Sequence, residues 1–336
     1  MRLVAEQLAR AARFEPRGRL LAVSRSLLAL AGLSLLLSTP SSLLFASVSA
    51  ESAATRCQGV RGISVWCASQ ETTGTYLAGT LVAVAILAMV LVGLRPRLLC
   101  VPHWYVAFSM SNTITFANGG EQIALILTGL MIPLCIGDRR TWQWTRHSEP
   151  LPATWQGSAY AAHLMIRMQI LVIYLCAAAT KLGNHSWRSG AAVGIILNDP
   201  EVGLPAPLRP LVNGVFAWDG VNRVVTWLVL AMEVTIGVSM LFAVRVRRIG
   251  MVLAVLLHSA IIGAMGLFSF GLIAIALLLA ATDDQPSFDV GEEFRHGHGI
   301  RGTASRASRR RRPDDLLRNH ADGIPGRLSR TAGAVL

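Results

Sequence analysis

Apolar residues in this chain run in long, nearly unbroken blocks, and the polar residues gather between them. Blocks at about 27–48, 75–94, 98–116, 121–137, 157–181 and 222–243 each have the length of a bilayer-crossing helix at 1.5 Å rise per residue. The last block, 249–282, is too long for one comfortable span and short for two, and Gly263, Gly266 and Gly271 offer a turn inside it. Pro40 is expected to kink the first span. The pattern predicts an all-α polytopic transmembrane helical bundle of about eight spans.

Charge settles the orientation expected for those spans. Six arginines (Arg2, Arg10, Arg13, Arg17, Arg19, Arg25) precede the first block, and ten more lie between Arg295 and Arg330, four of them consecutive at 309–312. The first segment has the charge of a secretory n-region, but the apolar run after it is long and lacks a clear cleavage site, so it reads as a span. Arg95 and Arg97, Arg139 and Arg140, Arg146, and Arg245, Arg247 and Arg248 mark alternate interhelical gaps. Arginine-rich segments stay cytoplasmic, so both termini are expected inside, and that parity needs two spans within 249–282. The expected division is a cytoplasmic Arg-rich N-terminus at 1–26, a transmembrane domain at 27–282 and a disordered basic cytoplasmic tail at 283–336.

Composition agrees with a multi-pass cell-membrane protein. Of 336 residues 53% are hydrophobic and only 15% charged, where a soluble domain carries about 25% charge. The net charge of +12 would suit a nucleic-acid partner, but its confinement to segment ends and the tail argues for membrane anchoring, and no nucleic acid is expected. Five cysteines without a CxxC or a Cys/His cluster give no metal site. Cys57 and Cys67 fall in a polar loop, 49–73, on the far side of the membrane, where they are either a disulfide or two free thiols. Trp142, Trp144 and Trp155 fit an interfacial belt.

The polar residues inside the blocks carry the chemistry. A charge at the bilayer centre costs about 2.5–3.5 kcal/mol, so such groups are expected to face one another. Arg167, Glu233 and His258 lie near the middles of their spans, and an Arg167–Glu233 ion pair is expected. That trio reads either as a clamp holding the bundle or as part of a substrate or proton path. Arg167, Tyr174 and Lys181 are seven residues apart and share one helix stripe, drifting only about 20° per step. Lys181 is the only lysine; the other 30 basic residues are arginine. It either snorkels to the interface or acts as a base, since lysine can shed its proton when desolvated and arginine cannot. Asn112, Asn118, Glu121 and Gln122 are expected near the same boundary, with Glu121 either pairing with Lys181 or serving as a second acid/base group.

At these residues the chain resembles the HTTM membrane family, which includes vitamin K-dependent gamma-carboxylase. Ala177–Leu182 (Ala-Ala-Ala-Thr-Lys-Leu), then Trp187 and Gly190, is similar to the stretch holding that enzyme's base lysine, and the matching position is Lys181. Asn118–Gln122 (Asn-Gly-Gly-Glu-Gln), Arg167 to Gln169, Lys181 with Trp187, and Asn198-Asp199-Pro200 resemble the branch related to sporulation-delaying protein B. The resemblance covers about 20–282 and departs from the carboxylase in lacking its large far-side domain and its two histidine-bearing regions. It implies a membrane protein assisting the maturation or export of a secreted antimicrobial or toxin peptide. The implied partners are a secreted peptide precursor, membrane lipid and a companion maturation protein. Catalysis would fall to Lys181 with Glu121 or Asn118. The alternatives are a non-enzymatic transporter-like or immunity component and a quinol-linked enzyme of the carboxylase type; the sequence itself selects no cofactor.

Overall fold

A computed structural model describes residues 2–12, 14–45, 57–67, 73–114, 119–146, 152–200, 202–216 and 218–282. Asn118 and the basic tail lie outside these residues. Among them, every regular element is helical, and eight helices have 15 residues or more. A short helix α1 (Arg2–Ala11) precedes α2 (Arg19–Ser38), α3 (Thr73–Leu91), α4 (Pro96–Thr113) and α5 (Gly119–Cys135). Then come α6 (Ala153–Gly183), the short α7 (His185–Ser189), α8 (Ala192–Asn198) and α9 (Arg209–Phe216), and the long α10 (Asp219–Ser239), α11 (Val244–Met265) and α12 (Phe268–Thr282).

The first long helix begins at Arg19 and stops at Ser38, earlier at both ends than its apolar block implies. Thr39 is extended (φ −107°, ψ 122°), as the residue before a proline must be when the proline ring excludes the helical region. Pro40 therefore ends the helix instead of kinking it, and Ser41–Leu44 is a separate helical turn. Arg25, expected in the charged N-terminal segment, lies inside α2 and is only 2% exposed. The 249–282 block divides as the glycines suggest, but one of them does the work. Gly266 at φ +68° caps α11 in the left-handed conformation, and the chain re-enters helix at Phe268.

Among the described residues, four helices are long and apolar enough to cross a membrane: α2, most of α6, α10 and α11. The remaining long helices are shorter or more polar. The 15 residues of α12 span roughly 22 Å, less than a bilayer core, yet this helix sits at the centre. Ala274, Ala276, Leu277, Leu278, Ala280 and Ala281 are all buried, and α12 packs along α2, α11 and α5. Large apolar side chains such as Leu77, Leu81, Leu98, Met165, Val224 and Leu256 are exposed on the bundle's outside, which suits hydrocarbon surroundings. Beyond α3, Cys57 and Cys67 form a disulfide with Cα atoms 5.5 Å apart. The loop they close is pinned to α4 by Thr113 Oγ1 donating to Ser64 Oγ (2.7 Å) and Val65 N–H donating to Ser109 Oγ (3.0 Å).

Candidate functional site

The antiparallel packing of α6 on α10 sets the site. Gly237 lets the helices approach so closely that a Cβ there would lie 3.2 Å from Tyr174 Cβ. With Gly237 level with Tyr174, Glu233 sits one helical turn nearer the Lys181 end of α6. Lys181 Nζ donates to Glu233 Oε1 at 2.7 Å, with the two side chains 26% and 10% exposed. The same ammonium lies 5.4 Å from the centre of the Trp187 ring, within cation–π reach. Trp187 is carried by α7, whose start is capped by Asn184 Oδ1 accepting from Ser186 N–H at 2.9 Å. Its ring is buried with Ala178, Ala192 and Leu230, so its position is fixed from three helices.

One turn deeper, Tyr174 Oη and His258 Nε2 share a hydrogen bond of 2.8 Å, and the edge of Phe270 closes on the imidazole at 5.5 Å. Tyr174 and His258 are 5% and 4% exposed. Glu233 Oε2 and His258 Nδ1 are buried polar atoms with no hydrogen-bond partner among the described residues. The cluster thus offers an amine on a carboxylate, a phenol on an imidazole, and two further polar atoms in apolar surroundings.

The expected Arg167–Glu233 pair is not formed. Arg167 Nε donates to the carbonyl of Ala281 on α12 at 3.1 Å. The register explains the difference: Arg167 lies two helical turns from Tyr174 in the direction opposite to Lys181, roughly 15 Å of helix axis from the level of Glu233. Of the expected trio, Glu233 and His258 belong to the cluster around Lys181 and Tyr174, and Arg167 stands apart. Glu121 is 3% exposed and lines an internal cavity of about 20 Å³, room for one or two waters, with His103, Thr128 and Ser269. Lys181 is not part of that wall.

Other residues singled out by sequence hold the frame. Asn198 Nδ2 donates back to the Gly194 carbonyl at 3.0 Å, and Asp199 Oδ1 accepts from Val202 N–H at 3.1 Å, ending α8 and fixing the turn after it. Gln122 is exposed and Gln169 half-buried. Tyr174 is the residue whose role sequence reasoning missed, although it stands in the stripe with Lys181. Thr226, also missed, receives Val193 N–H (3.3 Å) and donates to the Gly190 carbonyl (3.0 Å), tying the Trp187 segment to α10. No group of three or more His, Cys, Asp or Glu among the described residues is placed to hold a metal ion.

No solved structure matches this chain. Two proteins of Bacillus subtilis (strain 168) are similar to it over most of their length. Sporulation-delaying protein SdpB is 32% identical over 267 residues, covering 79% of this chain and 81% of SdpB. The uncharacterized protein YitO is 29% identical over 262 residues, 76% of this chain and 82% of YitO. Residues 19–283, from the first residue of α2 to just past the end of α12, match the HTTM domain, and this helical membrane protein belongs to the HTTM family.

Proposed function

We propose that this protein assists the maturation or export of a secreted peptide, with Lys181 as the reactive group of a site on the extracytoplasmic face. The single observation carrying the reading is the Lys181–Glu233 contact at 2.7 Å beside the Trp187 ring. The chain's one lysine is set on a carboxylate that can receive its proton. When a peptide covers the partly open Lys181 side chain and excludes water, the proton moves from Nζ to Glu233 Oε1 and leaves a neutral amine beside a neutral acid. The amine is then a base able to take a proton from the bound peptide. Arginine could keep the ion pair but could not complete that exchange. Similarity to SdpB supports the peptide pathway, and the arginine distribution supports eight spans with both termini cytoplasmic.

The test is maturation of the peptide in cells expressing wild type, Lys181→Arg or Lys181→Met, normalised to membrane abundance. Catalysis by Lys181 requires a loss of at least about 100-fold in both variants at normal abundance. Full activity of Lys181→Arg would leave only an ion-pair clamp and favour the non-enzymatic, transporter-like or immunity reading. The quinol-linked alternative has only the carboxylase resemblance behind it, since Glu233 Oε2 would accept a peptide N–H as readily as a quinol hydroxyl. Labelling of a cysteine placed near residue 300 from outside the cell would overturn the eight-span topology.

A further inference from the structure

The opposite, arginine-rich end of the bundle holds a second built site. Arg25, two turns into α2, is 2% exposed, and its Nη1 donates to Gln143 Oε1 at 2.7 Å. Gln143 is itself locked, its Nε2 donating to the Ala22 carbonyl (3.1 Å) and to Ser26 Oγ (2.9 Å). Arg25 Nη2 is buried and has no hydrogen-bond partner among the described residues. A guanidinium so placed lacks an acceptor in surroundings where an unsatisfied charged donor is costly.

Arg25 also lines a cleft with Arg17, Gly18, Asp138, Arg140 and Gln143. Its empty space, mouth included, is about 240 Å³, and its inner part, about 10 Å³, admits a single water-sized group. Three arginines line it against one carboxylate, that of Asp138, which Arg140 Nη2 engages at 2.7 Å. Arg17 is paired just outside with Glu15 (2.6 Å). The starts of α2 and α4 also meet this cleft, through Gly18 and Pro96, and neither helix has a side-chain N-cap. Two uncapped helix N-termini add positive potential to that of the arginines.

We propose that this cleft binds a phosphate-class anion, one anionic oxygen entering the inner space as the acceptor for Arg25 Nη2 while Arg17 and Arg140 hold the rest at the rim. The anion is either the headgroup phosphate of an anionic membrane phospholipid or a free phosphate, and the site is independent of the Lys181 chemistry.

The test uses the full chain purified in a maltoside detergent, which carries no phosphate. Binding is titrated by native mass spectrometry and by thermal unfolding, with phosphatidylglycerol or with inorganic phosphate at ionic strength held constant by gluconate. At least one probe should bind and raise the melting temperature, and affinity should fall roughly tenfold or more in Arg25→Gln. Arg17→Gln at the rim should weaken binding too, and it serves alone if Arg25→Gln does not fold. Arg139→Gln, at an exposed arginine outside the cleft, should bind as wild type does. A response to phosphatidylglycerol only identifies a lipid headgroup, and one to inorganic phosphate identifies a free anion. No response of wild type to either probe overturns the proposal, as does wild-type affinity in the folded cleft variants.

Discussion

The basic groups of this bundle are held in two different ways. At the arginine-rich end, Arg17 and Arg140 pair with carboxylates only two residues away, and other guanidinium groups reach neutral oxygens. Arg167 donates to the Ala281 carbonyl, Arg247 to the Phe242 carbonyl and Arg25 to the side-chain amide of Gln143. At the other end of α6 the only lysine is held by a carboxylate and an indole face. A carbonyl can anchor a charge that never leaves but cannot take a proton from it, whereas a carboxylate can do both. Arg25 and Arg167 tie separate elements together through neutral oxygens; the lysine is held by a carboxylate on another helix.

The strongest way to break that comparison is to remove the carboxylate. Glu233→Leu leaves the Lys181 ammonium beside a hydrocarbon wall, and losing one partner of a buried pair costs about 3–5 kcal/mol. Because the Lys181 side chain keeps 26% exposure and can turn toward water, a loss of about 2–3 kcal/mol is expected. Lys181→Met combined with Glu233→Leu should regain most of it. Denaturant unfolding in detergent measures both, and a double variant no more stable than the single ones would deny the pair its energetic role.

The register that makes the pair can be attacked without touching either charge. Gly237→Val would press a branched side chain onto Tyr174 Cβ, already 3.2 Å from where a Cβ would stand. Overpacking of this kind costs about 1–3 kcal/mol, and it should separate α10 from α6 and lengthen the Lys181–Glu233 contact. Cross-linking efficiency between cysteines introduced on the two helices would report the separation. Unchanged cross-linking and stability would mean that the close approach does not set the register.

Much of this arrangement was legible in the sequence, and the missing part has a physical cause. Long apolar blocks located the eight long helices because burying or solvating about 20 apolar residues in lipid leaves a helix few alternatives. The division at Gly266 was among the glycines expected to supply a turn, whereas the end of α2 was misjudged by giving Pro40 the weaker of its two effects. The 3.6-residue period correctly placed Tyr174 and Lys181 on one stripe, yet it says nothing about what a second helix sets against that stripe. Depth in the span was used to match Arg167 with Glu233. Helix offset decides partners, and the close approach at Gly237 rests on a single small residue that composition does not distinguish. The Arg25–Gln143 contact joins residues 118 apart and left no local signal at all.

Within the Lys181 end, Tyr174→Phe sharpens the distinction between anchor and chemistry. It removes one hydrogen bond at 2.8 Å and leaves His258 Nε2 without its partner, an expected loss of about 1–2 kcal/mol. If the phenol–imidazole pair only braces α6 against α11, peptide maturation per folded molecule should be unchanged. A fall in that quantity would make Tyr174 a positioning residue for the lysine above it.

The smallest effect expected is also the one that separates the two ends most cleanly. Arg167→Met should cost about 1–2 kcal/mol for its bond to the Ala281 carbonyl. Arg167 and Glu233 lie on neighbouring helices, so a direct pair would make the double variant Arg167→Met/Glu233→Leu more stable than the sum of its parts. Partners in contact show interaction energies of about 0.5–3 kcal/mol, while sites more than about 10 Å apart add to within about 0.5 kcal/mol. Since Glu233 already has Lys181 at 2.7 Å and Arg167 lies roughly 15 Å lower along the helix axis, the Arg167–Glu233 interaction energy should fall inside that additive range. The same cycle on Lys181 and Glu233 should exceed it. If Arg167–Glu233 proved the larger of the two, the register drawn from Gly237 and Tyr174 would be wrong, and Lys181 would lose the carboxylate that makes its proton exchangeable.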